Sequence, residues 1–205
     1  MNLAETYDQI AEDWHKDHAQ DTWWVEETDA FLKRLPQGGT VLDVGCGSSV
    51  KSKYMLERGF RVIGIDISDR LLAIARRESP DGDFRNVSMY DLDSMEEQFD
   101  GVFAQASLLH IPKKDAADVV AQMARRVVPG GYVYVSVKQA REGTPEEEIK
   151  TEDDYGYEYE RFFSYFVSDE LKAFMEAAGL TLVVSSASLS GHTTWLQAVG
   201  QKPLA

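Results

Sequence analysis

The chain has 205 residues, of which 43% are hydrophobic and 27% charged, a composition that suits one globular domain with a substantial core. Its formal net charge of −14 repels phosphate backbones and speaks against nucleic acid as a partner. No apolar run nears the ~20 residues of a membrane helix. The polar, acidic start lacks a secretory pattern, and a single cysteine agrees with a reducing, cytoplasmic location.

In chain order, "AETYDQIAEDWHKDH" places Tyr7, Ile10, Ala11 and Trp14 at helical spacing. "DTWWVEETDAFLKRL" does the same with Trp24, Val25, Thr28, Phe31, Leu32 and Leu35, with Asp21 or Thr22 as the expected cap. After "PQGG" the pattern alternates. "TVLDV" reads as a buried strand, "SVKSKYMLERG" as a helix and "RVIGID" as a strand. "SDRLLAIARRES" is a helix capped by Ser68, with Leu71, Leu72 and Ala75 inward. "DFRNVSM" and "FDGVFAQAS" are strands, "KKDAADVVAQMARRVV" a helix and "GGYVYVSVK" a strand. Such alternation implies right-handed crossovers and a mostly parallel sheet.

Between Glu146 and Glu160 eight acids stand against Lys150, a net of −7, which reads as a solvated, mobile loop or as a flap selecting cationic or neutral substrates. A helix over "SDELKAFMEAAG" follows, with Leu171, Phe174, Met175 and Ala178 inward. "LTLVVSSASLS" and "HTTWLQAVGQK" are too close for a parallel crossover, so they predict an antiparallel hairpin.

"VLDVGCGSS" sets Gly45 and Gly47 between a strand and a helix, at the carboxyl edge where open α/β sheets bind ligands. Amides near Ser48 and Ser49 are then expected to face an anionic group. Some twenty residues on, the next strand ends at Asp66, a carboxylate suited to both hydroxyls of a ribose. Together these residues point to a nucleoside-containing cofactor. A dinucleotide fold would carry its third glycine at Val50, and none is there.

The ordered set "VLDVGCGSS", "VIGIDIS", "FDGVFAQASLLHIP", "VVPGGYVYVSV" and "RFFSYFVSDELKAFMEAAGL" resembles the class I S-adenosylmethionine-dependent methyltransferases, in particular their bacterial small-molecule branch. The resemblance covers nearly the whole chain. It implies a seven-stranded, doubly wound, Rossmann-like sheet that ends in an antiparallel hairpin, with helices on both faces. It also implies one domain over 1–205: a helical lid at 1–37, a cofactor core at 38–138, an acidic flap and acceptor-side segment at 139–166, and the last helix and hairpin at 167–205.

The same resemblance implies the site. Gly45 and Gly47 would line the methionine and ribose of S-adenosylmethionine, with Cys46 packed in the loop between them. Asp43 would hold the turn and help bind the methionine ammonium, directly or through water, Asp66 would hold the ribose, and Ile67 would pack on the adenine. Ser88 and Met89 align with the family's adenine contacts. Gln105 and Ala106 would follow the methionine arm, leaving His110 to face the methyl group. Tyr7 would cover the cofactor. Trp14, Lys138, Arg161 and Phe163 would border the acceptor.

Methyl transfer from a sulfonium is an in-line substitution, so alignment and exclusion of water are the main tasks and no covalent nucleophile is needed. His110 is the one candidate base near the expected centre, or else it fixes its loop. His15 and His18 lie i, i+3 without an evident third ligand, so no metal is expected. The expected partner is a small-molecule acceptor, with S-adenosylhomocysteine as product, no membrane, and a monomer or homodimer. A nicotinamide-dependent oxidoreductase and a non-catalytic binding module are the competing readings. An amino-methylating nucleic-acid enzyme would carry an Asn/Asp-Pro-Pro-aromatic stretch where this chain reads "AQAS".

Overall fold

The structure is a computed structural model and describes residues 2–204. Two helices, α1 (Leu3–His18) and α2 (Val25–Leu32), precede β1 (Thr40–Val44), α3 (Val50–Leu56), β2 (Arg61–Asp66), α4 (Asp69–Glu78) and β3 (Asp83–Asn86). Then come β4 (Phe99–Gln105), α5 (Lys113–Arg126), β5 (Val127–Lys138), β6 (Glu147–Glu152), β7 (Tyr159–Ser164), α6 (Ser168–Ala177), β8 (Thr181–Ser190) and β9 (Thr193–Gln201). Seven strands form one sheet in the order β3-β2-β1-β4-β5-β9-β8. The first five run parallel, and β9 enters antiparallel between β5 and β8. The expected doubly wound sheet with a terminal hairpin is what forms.

Strand alternation divides the core between the two faces. Val41, Phe103 and Tyr134 point one way, onto Phe31, Leu32 and Leu35 at the end of α2, and Phe103 stacks on Tyr134 at 4.6 Å. Leu42, Val44, Val102, Val133 and Val135 point the other way, onto Val119, Val120 and Met123 of α5 and Leu171 and Met175 of α6. A chain reversal after β1 puts β4 on the opposite side from β2, so the carboxyl ends of β1 and β4 open a crevice. The site lies there.

Two local expectations fail. Helix α2 begins at Val25, with Trp24 at its N-cap and no side-chain cap bond, so neither Asp21 nor Thr22 caps it. Trp24 is 4% exposed, and the backbone turn closed by Val25 N–H on the Thr22 carbonyl delivers that ring inward. The acidic segment is not a mobile loop. Its strands β6 and β7 pair antiparallel from Glu147↔Ser164 to Glu152↔Tyr159. Tyr159 and Phe163 alternate into the protein along β7, which anchors the hairpin despite the acids on its outer side.

Candidate active site

The turn after β1 is built around glycine. Gly45 N–H and Cys46 N–H both donate to the Ile65 carbonyl, at 2.8 and 3.0 Å, which folds the chain sharply over β2. Gly45 has φ +74, and a Cβ there would sit 2.4 Å from Ser107 Cβ, in the loop that follows β4. Only glycine lets the two loops meet. Beneath the turn Asp43 is buried and accepts from Ser52 Oγ at 2.6 Å, while burial pushes its carboxyl up to about 6. Asp43 supports the turn from below and does not line the cavity.

Asp66 closes the other side. Its carboxylate accepts from Gly47 N–H at 2.9 Å and Ser68 N–H at 3.0 Å, and burial raises its pKa against those bonds. Two carboxylate oxygens offer more acceptor positions than two amides use. Ser68 caps α4 as expected, its hydroxyl accepting from Leu71 N–H. The amides of Ser48 and Ser49 do not present an anion site to this cavity. Ser49 N–H donates to the Cys46 carbonyl, and both side chains are buried, on His15 and on Ser79.

The cavity at the sheet edge has Gly45, Cys46, Gly47 and Asp66 on one wall and Gln105, Ala106, Ser107 and His110 on the other. Met89 closes one end, and Leu3, Tyr7 and Trp14 of α1 lie across the top. Ala106 has φ +57, a left-handed conformation that costs a non-glycine residue energy and here turns the chain beside the cavity. Of the expected cofactor residues, Ile67 and Ser88 also stand outside the lining. The Ser88 hydroxyl caps the short 3-10 turn after β3 by accepting from Tyr90 N–H at 3.2 Å. Cys46 packs with Leu72, Ala75 and Phe84, and burial raises its thiol pKa, so it behaves as a packing residue.

A second compartment adjoins the first, and Tyr7, Trp14, Lys51, Ala106 and His110 line both. His110 stands at the junction. Its Nδ1–H donates to the Phe162 carbonyl at 2.8 Å, which leaves Nε2 to accept from the Tyr7 hydroxyl at 2.8 Å. Burial lowers its pKa to about 3, and the cations of Arg161 and Lys138 add to the effect. The imidazole is therefore neutral across the physiological range.

All four expected acceptor-side residues, Trp14, Lys138, Arg161 and Phe163, line this second compartment. Arg161 makes a bidentate pair with Glu152, at 2.6 and 2.8 Å, and those hydrogen bonds hold the carboxyl low against the cost of burial. Lys138 lies 4.0 Å from the Phe163 ring centroid. Trp23 stacks on Trp195 at 4.6 Å, and the β5–β9 register sets Trp195 opposite Lys138.

Lys51, Leu71, Ser107 and Trp195 were not anticipated. The single sequence signal was that Lys51 follows the glycine turn by one helical turn. His15 and His18 do not form a pair: His15 Nδ1 bonds Ser48 Oγ, and His18 Nδ1 donates to the Trp14 carbonyl.

The cavity chemistry fits a polar, nucleoside-bearing group. Among the described residues, the Gln105 amide and the Ser107 hydroxyl are buried against it without a hydrogen-bond partner, as unusual in a folded protein as it is costly. Comparison with known proteins agrees. A family model described as "Methyltransferase domain" matches residues 15–185. The ubiquinone biosynthesis O-methyltransferase of Pseudomonas paraeruginosa is 36% identical over 118 residues, which are 55% of this chain and 48% of that protein. The chain spans about half the length of the curated relatives it matches.

Two solved structures share the fold. The CcbJ methyltransferase of Streptomyces caelestis aligns over 100% of both chains with TM-score 0.81 and 17% identity. The 1,6-didemethyltoxoflavin-N1-methyltransferase of Burkholderia thailandensis, solved with 1,6-didemethyltoxoflavin and S-adenosylhomocysteine, aligns over 98% of this chain and 87% of that one, with TM-score 0.77 and 20% identity. With a family match across most of its length and the glycine turn and Asp66 in place, the chain belongs to the class I S-adenosylmethionine-dependent methyltransferases.

Proposed function

We propose that this protein transfers the methyl group of S-adenosylmethionine to a small-molecule acceptor held in the second compartment. The observation that carries this reading is the junction of the two compartments at Tyr7, Lys51, Ala106 and His110. A donor on one side and an acceptor on the other would meet there under the cover of α1.

When bound, S-adenosylmethionine supplies an electrophilic methyl group on a sulfonium. Asp66 holds the ribose hydroxyls with the acceptor positions that the Gly47 and Ser68 amides leave free. Gly45 and Gly47 keep side chains out of the cofactor's path, and Met89 covers the adenine side. The Gln105 amide and the Ser107 hydroxyl find their partners in the polar groups of the methionine arm. Tyr7 and Trp14 exclude water from the top.

An acceptor held in line with that methyl group would take it on its lone pair, and a neutral hydroxyl or amine acceptor would have to pass one proton to solvent. With a pKa near 3, His110 is a poor sink for that proton at neutral pH. Its role is to hold the Tyr7 hydroxyl, and through it α1, against the loop after β4. Relatives named as O-methyltransferases make an oxygen nucleophile the first class to test.

The test is to incubate the protein with methyl-labelled S-adenosylmethionine and a panel of small hydroxylated, amino and thiol acceptors. Label leaving the donor only when an acceptor is present supports the reading. S-adenosylmethionine that binds yet stays intact across the panel, and across metabolite extracts, points instead to a binding module.

A further inference from the structure

The acceptor compartment is electrically unlike the rest of the molecule. The chain carries −14, yet Lys51, Lys138 and Arg161 all face this small space, and Asp21 is the only carboxylate among its lining residues. Arg161 is neutralised by Glu152, whereas among the described residues neither lysine has an ion-pair partner. Lys51 sits 5.8 Å from the Trp24 ring centroid and Lys138 4.0 Å from that of Phe163. Two ammonium groups taken partly out of water lie against aromatic faces, with carboxylates (Asp21 and Asp43 for Lys51, Glu152 and Glu148 for Lys138) beyond ion-pair distance, an expense that an incoming anion would reduce.

The remaining walls are flat and aromatic: Trp14, Trp23, Phe163 and Trp195. Charge and shape act together here. Phe163 lies 5.0 Å from the His110 ring and 4.0 Å from the Lys138 ammonium, so His110 and Lys138 flank one ring. Lys138 lines only the acceptor side, whereas His110 stands at the junction. The acids of β6 do not line the compartment, although Glu148 and Glu152 lie near enough to act on Lys138; the hairpin's lining residues are Arg161 and Phe163.

We propose that the acceptor is a planar aromatic acid: its carboxylate is held by Lys138, with Lys51 lending positive potential, and its methyl-accepting atom lies across the ring, beside His110 and Tyr7. This assignment rests on the methyl-transfer reading above and deepens it. An acceptor held as an anion also fits a site whose histidine stays neutral.

The experiment uses the protein saturated with S-adenosylhomocysteine, whose own binding is measured first. 4-Hydroxybenzoate and its uncharged counterpart 4-hydroxybenzamide are then titrated by calorimetry and by quenching of tryptophan fluorescence. The carboxylate is expected to bind at least about tenfold more tightly than the amide. Lys138→Met should abolish that preference while leaving the affinity for S-adenosylhomocysteine unchanged, and Lys138→Arg should keep it. Equal affinities in the wild type, a preference that survives in Lys138→Met, or no binding of either ring to the loaded protein would overturn the assignment. Failure of S-adenosylhomocysteine itself to bind would instead count against the methyl-transfer reading.

Discussion

At the scale of single residues, Gly45 and Asp66 carry the site. Gly45→Ala adds a Cβ into a left-handed turn and 2.4 Å from Ser107 Cβ. The substitution is expected to cost at least about 1–3 kcal/mol from the backbone conformation alone, read as a lowered thermal midpoint. Pairing it with Ser107→Gly should recover the collision but not the conformational part. Asp66→Ala removes a charged acceptor from the position proposed for the ribose and should weaken cofactor binding by roughly 1.5–3 kcal/mol. Unchanged affinity in a folded variant contradicts the role assigned to Asp66.

The titrating groups make a sharper test. His110 has its pKa lowered to about 3, so turnover should show no histidine-like rise between pH 5 and 8. Burial, with the Arg161 cation on β7, lowers Lys138 to about 8, and Lys150, Glu148 and Glu152 of β6 also face it. Lysine is charged below its pKa, so affinity for 4-hydroxybenzoate should fall as pH rises through about 8. Affinity for the amide should not. That Asp66, Gly45 and Gly47 would line the sheet-edge cavity was legible because each lies at a strand end or in a motif, while Trp14, Lys138, Arg161 and Phe163 were placed beside it by the resemblance. Trp195 was not legible, since only the pairing of β9 with β5 brings it opposite Lys138. Asp43 lies beneath the turn, its carboxylate accepting from Ser52, nine residues on in α3.

At the scale of elements, α1 and the β6–β7 hairpin decide access. The cofactor cavity measures about 90 Å³ under α1, well short of the roughly 300 Å³ at which ligand pockets begin. Because Leu3, Tyr7 and Trp14 of α1 line that cavity, a nucleoside bound there is expected to pack against α1. Amide exchange across residues 3–18 should slow when S-adenosylhomocysteine binds, and exchange in α5 should not change. The hairpin depends on the Arg161–Glu152 pair, with side chains 16% and 7% exposed. Removing one partner strands a largely buried charge, so Glu152→Leu should destabilise more than the double change Glu152→Leu/Arg161→Leu. Parallel strands and their helices were readable from period and punctuation. The hairpin was hidden because eight acids in fifteen residues mask the alternation of Tyr159, Arg161 and Phe163, which is what anchors it.

At the scale of the whole molecule, a strongly acidic surface encloses a cationic, aromatic compartment. The core explains where that compartment lies. Each face of the sheet is closed by helices, so the carboxyl edge between β1 and β4 is left open for ligands, and α1 with β7 roofs it. Fold alone would not assign an activity, because open α/β sheets support many chemistries. The assignment rests on the family match over residues 15–185, with the turn and the carboxylate at that edge. The most direct test is calorimetric titration of the purified protein with S-adenosylhomocysteine, with NADH as a parallel control. Saturable, micromolar binding of S-adenosylhomocysteine alone is the result this account predicts; binding of NADH alone, or of neither, would contradict it.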